Sequence, residues 1–433
     1  MARIAIIGGG LAGSEAALQL ARHGIEVTLF EMRPHVMGAA HHSADLAELV
    51  CSNSLKSDDT HTAAGLLKRE LEVLGSELIP MARARAIDAG SALAVDRKRF
   101  ARMVTDAIES HDRITLERCE FIYSDNHGFD GLIIAAGPLA SEGLIESLRG
   151  LVSDRLSFFD AAAPIIAADS VDYRIAFWGS RYGKGSGNDY ANCPFNEEQY
   201  RAFHEALVAG ERVVKRSFDR TDLFCACQPI EEIARGSLDA LRFGALKPVG
   251  IAVPGEEGRA YAVAQLRCED AHQQALGLVG FQTNLTWPEQ RRIFRMIPGL
   301  HNAEFLRYGV MHRNTFIDTP RVCQRDFSHN ENDHVWFAGQ ITGTEGYVEA
   351  IASGLYVARN VLARLRGDQP WILPSTTVSG ALFNYATDPT TVAYQPMHVN
   401  FGLIHPLERS VRKKRQRYAA YAERALQEVS EYA

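Results

Sequence analysis

The chain has 433 residues, of which 46% are hydrophobic and 23% are charged, and its formal net charge is −7. This composition is typical of a globular protein, and the length predicts two domains or one domain that carries an insertion. The negative charge argues against a generally basic nucleic-acid coat but does not exclude local basic patches, and no apolar run reaches the ~18 residues of a membrane-spanning helix.

The cysteines and the first residues of the chain indicate the compartment in which the protein acts. Seven cysteines occur without the repeated spacing of zinc sites, and no signal peptide precedes the first strand. We therefore expect no metal site, no membrane partner and a reducing, cytoplasmic location.

A glycine-rich loop follows the first predicted strand. Arg3–Ile7 is a short apolar run, and the next six residues read GGGLAG, with glycines at the G-x-G-x-x-G positions. A helix over Ser14–His23 and a strand over Ile25–Phe30 follow, and an acid ends that strand. This unit is typical of dinucleotide binding, because the glycines admit a pyrophosphate to the helix N-terminus and the acid accepts hydrogen bonds from a ribose. The predicted cofactor-binding residues here are Gly8, Gly9, Gly10, Leu11, Ala12, Gly13, Glu31 and, by reach to an adenosine or its phosphate, Arg33.

Two later strands favour FAD over a nicotinamide as the resident cofactor. Residues 130–137 (DGLIIAAG) form an apolar strand that closes on Ala-Ala-Gly, and residues 335–346 (VWFAGQITGTEG) join a strand to a glycine turn before a predicted helix over Tyr347–Leu362. Flavoproteins of the glutathione-reductase type end their cofactor domain with such a strand, turn and helix. From this turn we predict cofactor contacts by Gly339, Gln340, Gly343 and Glu345, with helix capping as the alternative role of the two polar side chains.

The segment between these cofactor elements mixes short strands with helices. We predict an α/β fold: a glutathione-reductase-type FAD-binding Rossmann domain formed by residues 1–157 and 317–433, with an inserted α+β substrate or RNA domain at 158–316. Two basic stretches are either solvated faces or phosphate contacts, namely RRIFR at 291–295 and the start of a polar helix over Pro406–Ala433. The helices predicted for the insertion are Glu197–Ala209, Pro229–Leu241 and Trp287–Met296.

A series of long motifs runs in order through most of the chain. They read GGGLAGSEAA, EMRP, AELVCSNSLKSD, SRYGKG, DYANCP, CQPIEE, FGALKPVG, FRMIPGLHNAEFLRYGVMHRNTFIDTP, FAGQITGTEGYVEAIASG and QPMHVNFGL. Together they resemble the folate- and FAD-dependent tRNA uracil-5-methyltransferase family, a relative of the large flavoproteins that modify the tRNA wobble uridine. The resemblance covers roughly residues 3–403.

The resemblance implies a reaction and its cofactors. In that family 5,10-methylenetetrahydrofolate supplies a one-carbon unit, FAD carries it to C5 of the T-loop uridine (position 54) of tRNA, and NADH or NADPH keeps the flavin reduced. C5 of uracil is a poor nucleophile until a thiolate adds at C6, and the proton on C5 must then be removed. Such a route needs a flavin, a thiolate and a second acid/base group near one face of the uracil.

Two cysteines match the family's functional positions, namely Cys51 in ELVCSNS and Cys227 in CQPIEE. The family commonly has Phe-Glu-Gly-Cys at the second position, whereas this chain has FCAC, which adds Cys225 and removes a glutamate that could act as a base. We prefer Cys227 as the C6 nucleophile, with Cys51 beside the flavin as the acid/base or as the alternative nucleophile. The cysteines predicted to be structural are Cys119, Cys193, Cys268 and Cys323.

Two other functions stay open at this point. One is the same chemistry on a ribosomal RNA uridine. The other is a flavin-bearing tRNA-binding or redox protein that transfers no methyl group. A fused nicotinamide dehydrogenase would need a second G-x-G-x-x-G unit, which the sequence lacks, so we expect NAD(P)H to bind transiently beside the flavin.

Overall fold

The structure is a computed structural model. It describes residues 2–38, 40–125, 127–152, 155–213, 228–255, 259–391, 394–409 and 411–433, without the side chains of residues 155–160, 312 and 313. Cys225 and Cys227 therefore lie outside the described residues, and their predicted roles stay predictions.

Strands and helices are numbered in chain order. The strands are β1 (Arg3–Ile7), β2 (Glu26–Phe30), β3 (Ser54–Ser57), β4 (Ala86–Ile87), β5 (Ala92–Val95), β6 (Ile114–Glu117), β7 (Gly131–Ile134), β8 (Arg155–Ala161), β9 (Ile165–Ala167), β10 (Phe177–Gly179), β11 (Tyr190–Phe195), β12 (Ala262–Cys268), β13 (Ala275–Leu278), β14 (Phe305–Arg307), β15 (Met311–Ile317) and β16 (Val335–Phe337). The helices are α1 (Leu11–Arg22), α2 (Ala63–Val73), α3 (Leu78–Ala84), α4 (Arg97–Glu109), α5 (Glu142–Ser147), α6 (Glu197–Ala209), α7 (Ile230–Gly236), α8 (Ala240–Phe243), α9 (Trp287–Phe294), α10 (Thr319–Val322), α11 (Tyr347–Arg366), α12 (Val378–Thr387) and α13 (Lys414–Val429).

A parallel sheet with strand order β16-β7-β1-β2-β6 forms the first layer. The central strand β1 is apolar at almost every position because α1 and α11 cover one face of the sheet and α5 and α10 cover the other. The carboxyl ends of the parallel strands meet at one edge, which is where ligands bind in open α/β sheets. The predicted α/β class is confirmed.

Helices α1 and α11 pack closely against each other on the parallel sheet. A methyl group added at Gly354 of α11 would lie 2.2 Å from the carbonyl oxygen of Ala12 in α1, so the backbones touch there. This close packing holds the N-termini of both helices at the same edge of the sheet.

An antiparallel sheet with strand order β10-β11-β12-β13-β9-β14 forms the second layer. Its core is rich in aromatic rings, and α6, α7 and α9 pack on it. The aromatic residues at its centre are Phe195, Phe203, Phe281 and Phe294. Strand β14 lies at one edge and pairs only with β9 among the described strands.

The antiparallel pair β8–β15 joins the two layers. The strands of the parallel sheet come from residues before and after this pair, whereas those of the antiparallel sheet come from the segment between β8 and β15. The predicted boundaries at 157/158 and 316/317 fall inside β8 and β15, and the division into domains stays a prediction.

Three predicted helices differ from the observed ones. The helix predicted over Pro229–Leu241 is broken into α7 and α8, because Ser237 is extended (φ −171°, ψ 162°) and the Leu238 carbonyl accepts a hydrogen bond from the Tyr200 hydroxyl at 2.6 Å. Helix α1 begins three residues before the predicted start, since Gly10 is its N-cap. The C-terminal helix is confined to Lys414–Val429. Within the described residues, no helix is long and apolar enough to cross a membrane.

Candidate active site

Two helix N-termini open onto one cleft at the carboxyl edge of the parallel sheet. Helix α1 starts after Gly10 and α11 starts after Gly346, and neither N-terminus has a side-chain cap. Both ends line a cleft of about 960 Å³. The first amides of a helix have no partner within the helix, and its N-terminus carries partial positive charge, so this cleft suits a diphosphate.

The glycines of the first loop are required for different spatial reasons. A methyl group at Gly13 would lie 1.9 Å from the Gly8 carbonyl oxygen, and one at Gly8, whose φ is +103°, would lie 2.6 Å from the carbonyl oxygen of Ala135. These two glycines therefore let the loop, α1 and the end of β7 approach one another. Gly10 differs, because a methyl group there would meet no atom within 4 Å, and Gly10 lines the cleft.

Glu31 and Arg33 form a buried ion pair behind the glycine loop. Glu31 accepts hydrogen bonds from the Gly9 amide at 2.9 Å and from the backbone and guanidinium of Arg33. Burial alone would raise the pKa of Glu31, but the contacts with Arg33 and Gly9 lower it below its usual value. Each Glu31 oxygen already accepts two hydrogen bonds, so the acid positions the loop, and a ribose hydroxyl that donates to it would have to compete with these donors.

Arg33 points into the protein. Its side chain is 2% exposed, and its second carboxylate partner is Glu48, at 3.1 Å. The guanidinium thus joins the end of β2 to the start of the segment that carries Cys51. Both residues line the cleft.

The four residues predicted from the second glycine turn fall into three positions. Gly339 and Gln340 line the cleft. Glu345 is 7% exposed and accepts a hydrogen bond from Gln340 Nε2 at 2.6 Å, so it orients that side chain from behind. Gly343 has a φ of +76°, and a methyl group there would lie 2.4 Å from the Tyr394 hydroxyl oxygen, so its place is in the turn.

The Cys51 loop, residues 48–53, is tied to the start of α11. The amides of Cys51 and Ser52 donate to the Tyr347 hydroxyl oxygen at 2.8 and 3.2 Å, and Tyr347 is the first residue of α11. The partly buried Cys51 thiol donates to the carbonyl oxygen of Ala161 at 3.7 Å, at the end of β8. Because Val50 and Tyr347 line the cleft on either side, the thiol lies next to the predicted cofactor site.

Two partly buried arginines donate to the backbone of the Cys51 loop. Arg97 at the start of α4 donates to the Leu49 carbonyl oxygen, and Arg307 at the end of β14 donates to that of Val50. Both guanidinium groups interact electrostatically with Cys51. Burial lowers the pKa of Arg307. Burial would also lower the pKa of Arg97, but the negative charge of Glu269 raises it above its usual value. The two hydrogen bonds fix the backbone immediately before Cys51.

A third arginine fixes the far end of the Cys51 loop. Arg267 of β12 donates to the Ser52 hydroxyl at 2.7 Å and to the Asn53 side-chain oxygen at 2.9 Å. Asn53 is fully buried, and its amide nitrogen donates to the carbonyl oxygens of Val95 and Cys268. The antiparallel sheet thus supplies Arg267 and Arg307, and the loop is held between the two sheets.

One cysteine prediction is wrong. Cys119 was expected to be structural, but it is exposed and lines the cleft together with Glu120 and Phe121. It follows β6 directly, and a residue at the carboxyl end of a parallel strand reaches the ligand edge of the sheet. The other three are buried as predicted, and burial raises the pKa of Cys193 to about 12 and that of Cys268 to about 11.

Several cleft residues were missed by sequence reasoning. Burial, assisted by the charge of Arg33, lowers the pKa of His41 to about 4, so this cleft-lining ring is neutral near pH 7. Tyr347 was assigned only to a helix, although its place directly after the glycine turn was a usable signal. The sequence motifs did contain Glu48, Val50 and Tyr347, whereas His41 lies between EMRP and AELVCSNSLKSD.

Replacing Tyr347 by phenylalanine tests the anchoring of the Cys51 loop. The change leaves the Cys51 and Ser52 amides without their acceptor, so we expect the free energy of unfolding to fall by about 1–3 kcal/mol. Chemical denaturation measures this loss. Tyr385→Phe is the matched control, since its exposed hydroxyl donates one hydrogen bond to Gln395. Equal stability of the two variants would contradict the anchoring role.

Comparison with known proteins finds relatives that are similar in sequence over nearly the whole chain. The family described as Glucose inhibited division protein A matches residues 3–369. A methylenetetrahydrofolate–tRNA-(uracil-5-)-methyltransferase TrmFO from Thermosynechococcus vestitus is 49% identical over 436 residues, covering 100% of this chain and 95% of that protein. The protein of the same name from Geobacter sulfurreducens is 49% identical over 429 residues, covering 99% of this chain and 98% of that protein.

The fold is also similar to solved structures. GidA of Aquifex aeolicus superimposes with a TM-score of 0.71 at 17% identity, and the match covers 99% of this chain and 73% of that chain. A second crystal form of the same protein gives the same TM-score. At this identity the likeness concerns the fold alone, and the predicted fold class is confirmed.

Proposed function

We propose a function from one premise: the chain belongs to the methylenetetrahydrofolate–tRNA-(uracil-5-)-methyltransferase family and is an enzyme of that family. It methylates C5 of the T-loop uridine of tRNA, with 5,10-methylenetetrahydrofolate as the one-carbon donor, FAD as the resident cofactor and NADH or NADPH as the electron source. As a tRNA-modifying enzyme it would act in the cytoplasm. The observation that carries the proposal is the hydrogen bond between the Cys51 amide and Tyr347, which joins a thiol to the helix that begins at the cleft.

The residues of the cleft fit FAD. Two uncapped helix N-termini and the open face of Gly10 offer a place for a diphosphate. Residues 8–13 would hold the diphosphate from the α1 side, and Gly346 and Tyr347 would face it from α11. The cleft walls next to β7 are apolar, as Ala135, Ala136 and Pro138 are, and suit a flat ring system.

When bound, FAD would carry the one-carbon unit from the folate and supply the hydride that completes the methyl group. The residues of the chain would handle the uracil. We propose that the Cys227 thiolate adds to C6 and that Cys51 takes the proton from C5, with the reverse assignment as the alternative. Arg97 and Arg307 hold the backbone before Cys51 by donating to the carbonyl oxygens of Leu49 and Val50. Tyr347 and Arg267 position its loop.

The direct test uses the purified protein with a T-arm minihelix, methylene folate, FAD and NAD(P)H. We expect 5-methyluridine by nucleoside mass spectrometry, and we expect it to vanish when FAD or the folate is omitted. A minihelix with cytidine in place of the target uridine is the control. Absence of 5-methyluridine from the complete reaction would contradict the proposed function.

The same assay separates the alternatives. Methylation of a ribosomal RNA fragment but not of the minihelix would show that the substrate is ribosomal RNA. Oxidation of NAD(P)H and binding of tRNA without any methylated nucleoside would indicate a redox or tRNA-binding protein instead.

A further inference from the structure

Three aromatic rings form a parallel stack on the surface of the antiparallel sheet. Tyr308 lies between Trp287 and Phe305, with ring centroids 5.3 and 5.0 Å apart and interplanar angles of 14° and 9°. Trp287, at the outer end, is 56% exposed. Aromatic pairs in proteins prefer edge-to-face arrangements, as Phe281 and Phe294 adopt at 85°, or offset-stacked ones, as in this surface stack.

The stack is held rigidly from below. The Tyr308 hydroxyl oxygen accepts hydrogen bonds from Arg291 Nε and Nη2 at 3.0 and 2.6 Å. Gln290 is fully buried and exchanges two hydrogen bonds of 2.8 Å with the backbone of Gly309. These hydrogen bonds fix Trp287 of α9 relative to Tyr308, which follows β14. The outer face of Trp287 is therefore preorganised for a flat partner.

The stack adjoins the Cys51 loop. Arg307 immediately precedes Tyr308, and its guanidinium donates to the carbonyl oxygen of Val50 in that loop. The side chain of Arg307, the residue before Tyr308, thus reaches Val50, the residue before Cys51. The charge near the stack is basic, because residues 287–295 (WPEQRRIFR) contain three arginines and one glutamate in a chain whose net charge is −7.

The charges also indicate which partner fits. Arg292 pairs with Glu289 at 2.7 Å, and Arg295 donates to the carbonyl oxygen of Ala303. Among the described residues, the Arg291 side chain donates hydrogen bonds only to the Tyr308 hydroxyl oxygen, and no carboxylate pairs with it at the rim of the stack. An aromatic face with an uncompensated cation beside it combines base stacking with attraction to phosphate, which is how unpaired nucleic acid is held.

We propose that the outer face of Trp287 stacks on an unpaired base of the RNA substrate, with Arg291 near the adjoining phosphate. The proposal rests on the proposed function and adds to it a binding surface outside the cofactor cleft. Chemistry at C5 and C6 requires the target uridine to leave its stack, and this exposes a neighbouring base that gains a new stacking partner on the enzyme.

Replacing Trp287 by alanine tests the stacking surface. We expect the dissociation constant of the T-arm minihelix to rise by about 5- to 100-fold, while Trp287→Phe, which keeps a ring, retains most of the affinity. The dependence of log K on log salt should keep its slope in Trp287→Ala, because a base contact releases no counterion. The matched control is Phe243→Ala, since Phe243 is 81% exposed on α8, and its affinity should equal that of the unchanged protein.

Three results would overturn the stacking surface. The first is equal affinity of Trp287→Ala and the unchanged protein for the minihelix, and the second is an equal loss in Phe243→Ala. The third is a change in the sedimentation mass of the RNA-free protein in Trp287→Ala, because Trp287 would then contact another protein chain. If the unchanged protein methylates the minihelix in these cases, the proposed function stands and only the surface fails. If the unchanged protein forms no 5-methyluridine, the proposed function is wrong, whatever the binding measurements show.

Discussion

The variant Cys51→Ala is expected to form 5-methyluridine about 10²- to 10⁴-fold more slowly than the unchanged protein, the range that a positioned acid/base group contributes. The physical reason is the loss of the thiol that adjoins the cleft and interacts with Arg97 and Arg307. FAD binding should be retained, because the hydrogen bond of the Cys51 thiol goes to Ala161 at the end of β8 and not to the glycine loop. Rates under single-turnover conditions, together with the flavin absorption of the purified variant, measure both effects.

Cys119→Ala is the matched control for Cys51→Ala. Cys119 is also a thiol near the cleft, but no described arginine donates to its loop and it is exposed. We expect its rate to fall less than that of Cys51→Ala, because Cys119 lines the cleft but does not belong to the loop that Tyr347 and Arg267 hold. Cys227→Ala should be at least as slow as Cys51→Ala. Full activity of both Cys51→Ala and Cys227→Ala would contradict thiol catalysis.

The variant Gly13→Ala is expected to lose both stability and FAD. Its methyl group would lie 1.9 Å from the Gly8 carbonyl oxygen, which belongs to the backbone and cannot move aside as a flexible side chain can. Overpacking of this kind destabilises by about 1–3 kcal/mol, and the shift of the loop would also displace the amides that face the cleft. Thermal unfolding and the flavin content after purification are the measurements.

Gly10→Ala separates the two effects of Gly13→Ala. Nothing lies within 4 Å of a methyl group at Gly10, and its φ of −74° is accessible to alanine, so the fold should keep its stability while the approach of the diphosphate is hindered. Gly150→Ala, also in open space but away from the cleft, should change neither property. Normal FAD binding by Gly13→Ala would contradict the role assigned to the loop.

The parallel-sheet half of the fold was predictable because its signals are local. A strand, a glycine loop and a helix follow one another within about twenty residues, and each obeys an elementary rule of backbone or helix chemistry. The break between α7 and α8 was not predictable, since the Leu238 carbonyl is held by Tyr200, far away in sequence. Propensity and periodicity alone favoured one continuous helix there.

The site was predictable only in part, for the same reason. The Cys51 amide and the Tyr347 hydroxyl are 296 positions apart, and Arg267 reaches Asn53 across 214 positions. Such contacts depend on how two sheets meet, which no short motif encodes. Cys119 was misjudged because its neighbours carry no motif, although its position after a parallel strand determines its exposure to the cleft.

The most direct test of the central claim follows the transferred carbon. The purified protein would receive T-arm minihelix RNA, FAD, NAD(P)H and methylene folate labelled with ¹³C at the methylene carbon, and the RNA nucleosides would be weighed. The account predicts one labelled 5-methyluridine per RNA, formed by the unchanged protein and formed far more slowly by Cys51→Ala. Unlabelled 5-methyluridine, or RNA that stays unmethylated while FAD is bound, would contradict it.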